Sequence, residues 1–324
     1  MAEGAPFHND IAGAPEGGAA QFIHASDGVR LRIGIWTSDR PARGTVLLFP
    51  GRTEYLEKYG WLLGFLTGEG FAVAAIDWRG QGLSDRLLDN PRVGHVGDFD
   101  DYQKDVAALL AAPEVAALPG PRFLFSHSMG GAIALAALQK GTVPAATLKG
   151  TVFSAPMWNI HFVGPMAIIG APMAVCMSRF GLAERYAPGY DDQFLPFRWS
   201  DESNPLSSDP AAMELQRSQM TSHPELGISG PSIGWVATAL AACAEMRRAA
   251  MPTLPGLCLL GSDEAVVSPT RIRELTGKMP QMKLVEIDGA RHEIWMERPP
   301  IKEAAAKEMR AFLDAQLQEP TATA

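Results

Sequence analysis

Alternation of short apolar runs with helix-length segments restricts the fold of this chain more than any other feature. Six apolar runs predict buried strands at 44–51, 71–77, 122–126, 150–155, 256–263 and 282–289. Helical patterns lie between most of them, at 55–69, 99–111 and 129–140, and an amphipathic closing helix is predicted at 301–317. Continuous apolar strands separated by helices indicate a mostly parallel sheet that is covered on both faces. An alternating run at 29–36 predicts an early antiparallel strand, so the predicted fold class is α/β.

The alternation is interrupted between residues 156 and 250. This interval has no convincing core strand, and its composition shifts to Met, Pro, Trp and Phe. We interpret it as an inserted helical cap on a core formed by 21–155 and 251–317. Ligands of α/β sheets bind beyond the carboxyl ends of the strands, so the cap is expected to cover that edge. Residues 1–20 are expected to form a disordered leader and 318–324 a flexible tail.

Charge and composition exclude several classes of function. The 28 Lys and Arg residues against 36 Asp and Glu give a formal net charge of −8, which offers no basic surface for nucleic acid. The uncharged stretch 150–178 contains three prolines, which favour short broken helices with transient membrane-surface contact over a transmembrane span. The N-terminus lacks the basic and apolar regions of a signal peptide, which predicts a cytoplasmic protein. The three cysteines are scattered, and no metal or cofactor is predicted.

A strand-to-helix turn within 122–138, "RFLFSHSMGGAIALAAL", carries the strongest chemical signal. A nucleophilic serine needs a hydroxyl at a strand end, beside a helix N-terminus, with small neighbours that permit a sharp turn. Ser128 meets these requirements: Gly130 follows two residues later, and Ser126 replaces the glycine that usually stands two residues before. Ser126 is interpreted as a spacer. The ring of His127 is expected to point away from the nucleophile.

Two further residues are predicted to complete a catalytic triad in the chain order Ser, acid, His. Asp263 follows the run "GLCLLGS", and His292 follows the run "MKLVEID". Both lie past the carboxyl end of a predicted strand, at the same edge of the sheet as Ser128. His292 is therefore predicted to be the general base and Asp263 the carboxylate that orients it. Glu264, one residue further into the loop, is the alternative acid.

Several segments between Phe22 and Leu317 carry a resemblance to a known superfamily. They are "PGRTEYLEKYG", "DWRGQGLSDR", "GHVGDFDDYQKDV", "SHSMGG", "NPLSSDP", "GPSIGWV", "GSDEAVV" and "GARHEIW". Together they resemble the α/β-hydrolases, in the bacterial lysophospholipase and monoacylglycerol lipase branch. Relatives often have His-Gly-x where this chain has Pro50, Gly51 and Arg52. The resemblance implies an α/β-hydrolase fold and a serine ester hydrolase without cofactor that acts on lipid-like substrates.

The resemblance also implies where the oxyanion is bound. The backbone N–H groups of Arg52 and Met129 correspond to the two oxyanion donors of the superfamily. The predicted mechanism is acyl transfer in two steps, in which Ser128 attacks an ester carbonyl, His292 takes its proton, and water then hydrolyses the acyl-enzyme. The side chain of Arg52 is a candidate contact for a polar or phosphate head group.

Apolar residues of the cap are candidates for binding an acyl chain. They are Phe194, Phe197, Trp199 and Trp235. The alternative is that these residues only pack the cap onto the sheet. Three other functions stay open at this point: a small-ester carboxylesterase, a transacylase that uses the same triad, and a non-catalytic ligand-binding protein on the same fold.

Overall fold

A central nine-stranded sheet organises the described part of the molecule. The computed structural model describes residues 3–161 and 166–318, without the side chains of 166–168. The strands are β1 (Glu3–Ala5), β2 (Ala19–His24), β3 (Arg30–Trp36), β4 (Gly44–Phe49), β5 (Phe71–Ile76), β6 (Arg122–His127), β7 (Leu148–Ser154), β8 (Gly256–Gly261) and β9 (Met282–Ile287). Their order in the sheet is β1-β2-β3-β5-β4-β6-β7-β8-β9. The strands from β1 to β5 pair antiparallel in the order β1-β2-β3-β5, and all pairings from β5 through β4 to β9 are parallel.

Helices cover both faces of this sheet. The α-helices are α1 (Asn9–Ala12), α2 (Gly60–Gly68), α3 (Asp101–Ala111), α4 (Pro113–Ala116), α5 (Met129–Lys140), α6 (Met166–Met177), α7 (Pro210–Ser222), α8 (Ile233–Arg248), α9 (Pro269–Thr276) and α10 (Pro299–Gln318). Short 3₁₀ turns occur at Leu56–Tyr59, Ala145–Thr147, Leu195–Phe197, Pro224–Leu226 and Ile294–Met296, and a π-helical turn at Ser178–Leu182 follows α6.

Strand β4 shows why the apolar runs are continuous. Successive side chains of a strand point to opposite faces of the sheet. Leu47 and Phe49 belong to the core under α3, α5 and α8, whereas Val46 and Leu48 belong to the core under α2 and α10. Because both faces are buried, the strand needs an apolar residue at nearly every position. The predicted α/β-hydrolase fold class is confirmed.

The N-terminal segment differs from the expected disordered leader. Residues 3–18 form β1, α1 and connecting turns that pack on the core. The carbonyl of Pro6 accepts a hydrogen bond from Arg32, and the N–H of His8 donates to Glu57. Arg32 and Glu57 form a buried ion pair. The leader prediction was therefore wrong from residue 3 onward, because this segment satisfies buried polar groups that the Gly/Ala/Pro content does not reveal.

The interval between β7 and β8 contributes no strand to the sheet in its described residues, 155–161 and 166–255. Helices α6, α7 and α8 lie in it, and we call residues 156–250 the cap segment. None of the described helices is both apolar enough and long enough to reach across a lipid bilayer. Part of the uncharged stretch, residues 162–165, and most of the predicted tail, 319–324, lie outside the described residues.

Candidate active site

Ser128 lies on a strained turn between β6 and α5. Its backbone has φ 50° and ψ −118°, a conformation that non-glycine residues rarely adopt. The turn is held by hydrogen bonds from the N–H of Ser128 to the carbonyl of Ser154 (3.0 Å) and from the N–H of Met157 to the carbonyl of Ser128 (2.8 Å). A Cβ on Gly130 would lie 2.1 Å from the carbonyl oxygen of Phe49, so only glycine allows this close approach.

A chain of hydrogen bonds joins Ser128 to a buried carboxylate. Nε2 of His292 lies 2.8 Å from Oγ of Ser128, and Nδ1 lies 2.8 Å from Oε2 of Glu264. The other oxygen of Glu264 accepts from the N–H groups of Val266 (2.6 Å) and Val267 (3.0 Å). Burial alone would raise the pKa of Glu264, but the His292 charge and these hydrogen bonds outweigh it and lower the pKa below its usual range.

The structure places Asp263 away from this chain, which corrects the predicted acid. Strand β8 ends at Gly261, two residues before the end of the apolar run. The exposed Asp263 side chain accepts a hydrogen bond from Ser262 Oγ at 3.0 Å, while its N–H donates to the carbonyl of Ala290. The next residue, Glu264, turns inward and reaches His292. The alternative acid of the sequence analysis is the one that contacts the imidazole.

Two backbone N–H groups, of Arg52 and Met129, lie next to the serine turn. Arg52 follows β4, and Met129 is the first residue of α5, where N–H groups have no acceptor within the helix. Within the described chain, neither N–H donates a hydrogen bond to another group of the protein. The loop of Arg52 packs against the elbow, since a Cβ on Gly51 would lie 3.1 Å from Cβ of Ser128. Both predicted oxyanion donors are thus free and adjacent to the serine turn.

Side chains from the motif "DWRGQGLSDR" hold this loop in position. Nε1 of Trp78 donates to the carbonyl of Pro50 at 2.9 Å. Nε2 of Gln81 donates to the carbonyls of Gly51 (2.8 Å) and Glu54 (3.1 Å). Sequence reasoning gave neither residue a role. The signal that could have identified them is the position of their motif directly after β5, the strand that pairs with β4.

A network of buried charges lies behind the site. Lys58 Nζ lies 2.5 Å from Oε1 of Glu54 and 2.7 Å from Oε1 of Glu293. The second oxygen of Glu54 accepts from the N–H of Gly51 and the hydroxyl of Tyr59. Glu54 therefore connects the network to the residue before Arg52, and Glu293 is itself the residue after the base.

The ring of His127 belongs to this network. As predicted, it points away from Ser128: Nδ1 lies 3.1 Å from the carbonyl of Ser154, and Nε2 lies 3.2 Å from Oε2 of Glu293 without hydrogen-bond alignment. Burial lowers the pKa of His127, but the charges of Glu293 and Glu54 raise it by more. The carboxylates of Glu54 and Glu293 with His127 resemble a metal-ligand set. The ammonium of Lys58 already bridges the two carboxylates, so these residues do not fit a metal ion.

A cavity of about 420 Å³ opens onto Ser128 and His292 between the core and the cap segment. Trp199 and Trp235, two of the candidates for acyl-chain binding, line it together with other apolar side chains. These include Met157, Ile160, Met173, Met177, Leu206, Met220, Ile233 and Val267. Phe194 and Phe197 do not line it. The Phe194 ring packs on Gly227 and under Arg92, and Phe197 is 40% exposed on the outer surface, which corrects these two predicted contacts.

The sheet, the serine turn and the hydrogen-bonded chain define the protein as an α/β-hydrolase. Residues 40–299 match the family model described as serine aminopeptidase, S33. The chain therefore belongs to this family of serine hydrolases, and the superfamily and branch predicted from the sequence are confirmed.

Individual relatives agree with this family. The chain is 30% identical to lysophospholipase L2 of Escherichia coli over 80% of this chain and 77% of the relative. It is 27% identical to the monoacylglycerol lipase of Mycolicibacterium smegmatis over 83% of this chain and 88% of the relative. A soluble variant of the Saccharomyces cerevisiae monoglyceride lipase, solved with a substrate analogue, shares the fold with a TM-score of 0.70 at 21% identity, over 92% of this chain and 95% of that one.

Proposed function

We propose that this protein hydrolyses carboxylic esters of lipid-like alcohols, such as lysophospholipids or monoacylglycerols, through an acyl-enzyme on Ser128. The observation that carries the proposal is the hydrogen-bonded chain Ser128–His292–Glu264 at the mouth of a mostly apolar cavity. The names of the relatives support the same substrate class.

The chemistry follows from the roles of the three side chains. His292 takes the proton of the Ser128 hydroxyl as the oxygen attacks the ester carbonyl, and Glu264 stabilises the imidazolium that forms. The N–H groups of Arg52 and Met129 bind the oxyanion of the tetrahedral intermediate; loss of one such donor typically costs about 3 to 4 kcal/mol. His292 then protonates the departing alcohol. Water then enters, loses a proton to His292 and attacks the acyl carbonyl, and His292 returns that proton to the oxygen of Ser128 as the acid leaves.

The cap segment presents apolar side chains to solvent as well as to the cavity. Phe180 is 80% exposed and Ile169 is 48% exposed, both on the stretch from α6 through the π-helical turn. This exposure supports transient contact of the cap with a lipid surface. Phe180→Asp is expected to weaken binding to phosphatidylcholine vesicles in a flotation assay. Gln281→Asp is the control: it adds the same charge at an exposed residue just before the amino end of β9, away from the cap segment. This substitution should not weaken vesicle binding.

Substitution of Ser128 tests the central assignment. Ser128→Ala is expected to abolish release of fatty acid from monoacylglycerol and lysophospholipid, and to prevent labelling by a fluorophosphonate probe. Ser126→Ala is the matched control, because Oγ of Ser126 is buried 3.4 Å from the carbonyl of Val152 and lies off the cavity. Labelling of Ser128→Ala at the rate of the wild type would refute the proposal.

A further inference from the structure

The charged side chains of the cavity wall are paired with each other, except for one arginine. The wall contains Arg52, Glu54, Lys58 and Glu293, of which the last three form the buried network. Within the described part of the chain, no carboxylate forms an ion pair with Arg52. Its charge is therefore not balanced by the protein at the place where the substrate binds.

The guanidinium of Arg52 makes few polar contacts. Nη2 donates to the carbonyl of Ser229 at 2.8 Å, and the guanidinium carbon lies 5.1 Å from the ring centre of Trp235. Nε is shielded from water and has no acceptor within the described chain. A Cβ on Gly94 would lie 2.4 Å from Nη2, so this glycine makes room for the guanidinium. Burial lowers the pKa of Arg52 to about 10, which leaves it charged at neutral pH.

Other buried arginines of this chain show what a structural role requires. Arg32 contacts Glu57 through Nη1 and Nη2 at 2.8 Å each and Asp77 through Nε at 2.7 Å. Arg79 contacts Asp27 and Asp105 in the same manner. A desolvated charge is costly unless an anion pairs with it. Among the arginines of residues 3–161 and 166–318, Arg52 alone combines this missing partner with a position on the cavity wall.

We propose that the side chain of Arg52 binds a phosphate on the alcohol part of the substrate, so that the cavity prefers acylglycerol phosphates to uncharged acylglycerols. The inference rests on the proposed function, because the backbone N–H of the same residue is a proposed oxyanion donor. The guanidinium therefore lies within one side-chain length of the ester carbonyl. In an acylglycerol phosphate, the glycerol that forms this ester also carries the phosphate. The planar guanidinium presents N–H groups that can donate in parallel to two oxygens of a tetrahedral phosphate.

Binding to a protein that cannot turn over separates this inference from catalysis. The probes are 1-O-octylglycerol 3-phosphate, 1-O-octylglycerol and octanoate, which contain no carboxylic ester and are used below their aggregation thresholds. Calorimetry with Ser128→Ala is expected to show tighter binding of the phosphate than of the uncharged ether, by about tenfold to a hundredfold. Arg52→Met in the same background should remove most of this ratio, and Arg52→Lys should keep part of it.

Arg86→Met is the matched control. Nη2 of Arg86 bonds to the carbonyl of Glu225, Nη1 has no acceptor within the described chain, and burial also lowers the pKa of Arg86 to about 10. Arg86 does not line the cavity, so its substitution should leave the ratio unchanged. If Arg52→Met fails to fold, two other measurements test whether Arg52 binds the phosphate. They are the binding ratio of the two ethers to Arg52→Lys, and displacement of the ether phosphate by glycerol 3-phosphate.

Each outcome decides between two roles of Arg52: binding a phosphate, or only holding the cap segment through Ser229 and Trp235. Equal binding of both ethers to Ser128→Ala, or equal weakening of both by Arg52→Met, would overturn the inference. Octanoate binding as tightly as the ether phosphate would assign the cation to the product carboxylate and would also overturn the inference.

Hydrolysis of 1-octanoylglycerol 3-phosphate and 1-octanoylglycerol is measured in parallel. A phosphate preference in binding without hydrolysis of either ester would refute the proposed function and leave the anion site supported.

Discussion

At the scale of single residues, the site depends on which of two adjacent carboxylates turns inward. Glu264 is buried, contacts His292 and accepts two backbone N–H groups, whereas Asp263 is exposed. Backbone N–H groups that bind one carboxylate oxygen fix the direction of the other oxygen. The orientation of the imidazole therefore depends on residues of the loop after β8 as well as on the acid itself.

Glu264→Gln is expected to lower kcat by about 10³- to 10⁴-fold, because an amide neither fixes the correct imidazole tautomer nor stabilises the imidazolium. Asp263→Asn is the neighbouring control and should change kcat by less than about tenfold. The measurement is steady-state hydrolysis of a p-nitrophenyl ester, with thermal melting to show that both variants fold. The reverse ranking of the two variants would return the acid role to Asp263.

His127 provides a pH-dependent contribution to stability. Its pKa is raised in the folded state above the ordinary 6.5 by Glu293 and Glu54, against the opposing effect of burial. A raised pKa means that the stabilisation is complete below about pH 6.5 and is lost as pH rises through the folded-state value. Lys58 and the ring of His292, whose centre lies 5.0 Å away, also face this group.

His127→Asn is therefore expected to lower Tm more at pH 6 than at pH 9.5. Asparagine keeps a donor for the carbonyl of Ser154. The change in the Tm difference between the two pH values therefore reports the positive charge of the imidazole. His24→Asn, on an exposed histidine of β2, should show no such pH trend. A Tm difference for His127→Asn that is constant between the two pH values would show that the ring acts by packing alone.

At the scale of elements, the junction of β6 and α5 depends on close contact with the end of β4. Glycines at 130 and 131 let α5 approach the carbonyls of Phe49 and Pro50 and the ring of Pro156. The same contact places the loop of Arg52 beside Ser128. The catalytic geometry is thus a consequence of how tightly one helix start packs on a neighbouring strand end.

Gly130→Ala is expected to destabilise the fold by about 1 to 3 kcal/mol, because its Cβ would lie 2.1 Å from the backbone oxygen of Phe49 and the backbone would have to shift. Gly64→Ala is the control within α2, where a Cβ meets nothing within 4 Å. That substitution should stabilise by about 0.5 to 1 kcal/mol. Urea unfolding curves give both values, and equal stability of the two variants would contradict the packing argument.

At the scale of the whole molecule, the cavity exists only because the cap segment closes over the carboxyl edge of the sheet. Its wall combines core residues such as Val267 with cap residues such as Trp199 and Trp235. Burial of apolar surface is the main favourable contribution that such a wall offers an acyl chain, at about 0.8 kcal/mol for each methylene.

The value of kcat/KM for p-nitrophenyl esters is expected to rise with acyl length, by up to about fourfold for each methylene, until the cavity is full. Trp199→Ala should reduce this slope. Phe197→Ala, from the same segment but 40% exposed and off the cavity, should not. The series runs from acetyl to palmitoyl below the aggregation thresholds, and a steady decline from acetyl upward would indicate a small-ester hydrolase.

The sequence by itself determined the α/β class, the central strands, the serine turn and the histidine that contacts Ser128. These features depend on local patterns: continuous apolar runs for buried strands, and small residues around Ser128 for the turn. It also left Glu264 beside Asp263 as a candidate, because both carboxylates follow the same strand and chain position does not show which one points inward.

Only the tertiary structure decided which carboxylate contacts His292, that the N-terminal segment is ordered, and which aromatic residues reach the cavity. Each depends on contacts between residues far apart in the chain, such as Pro6 with Arg32 or Phe194 with Gly227. The same holds for Arg52: that no carboxylate of the described residues pairs with it depends on all of its neighbours in space. A side chain's direction and its pairing are set by packing, and packing is not encoded in any short stretch of sequence.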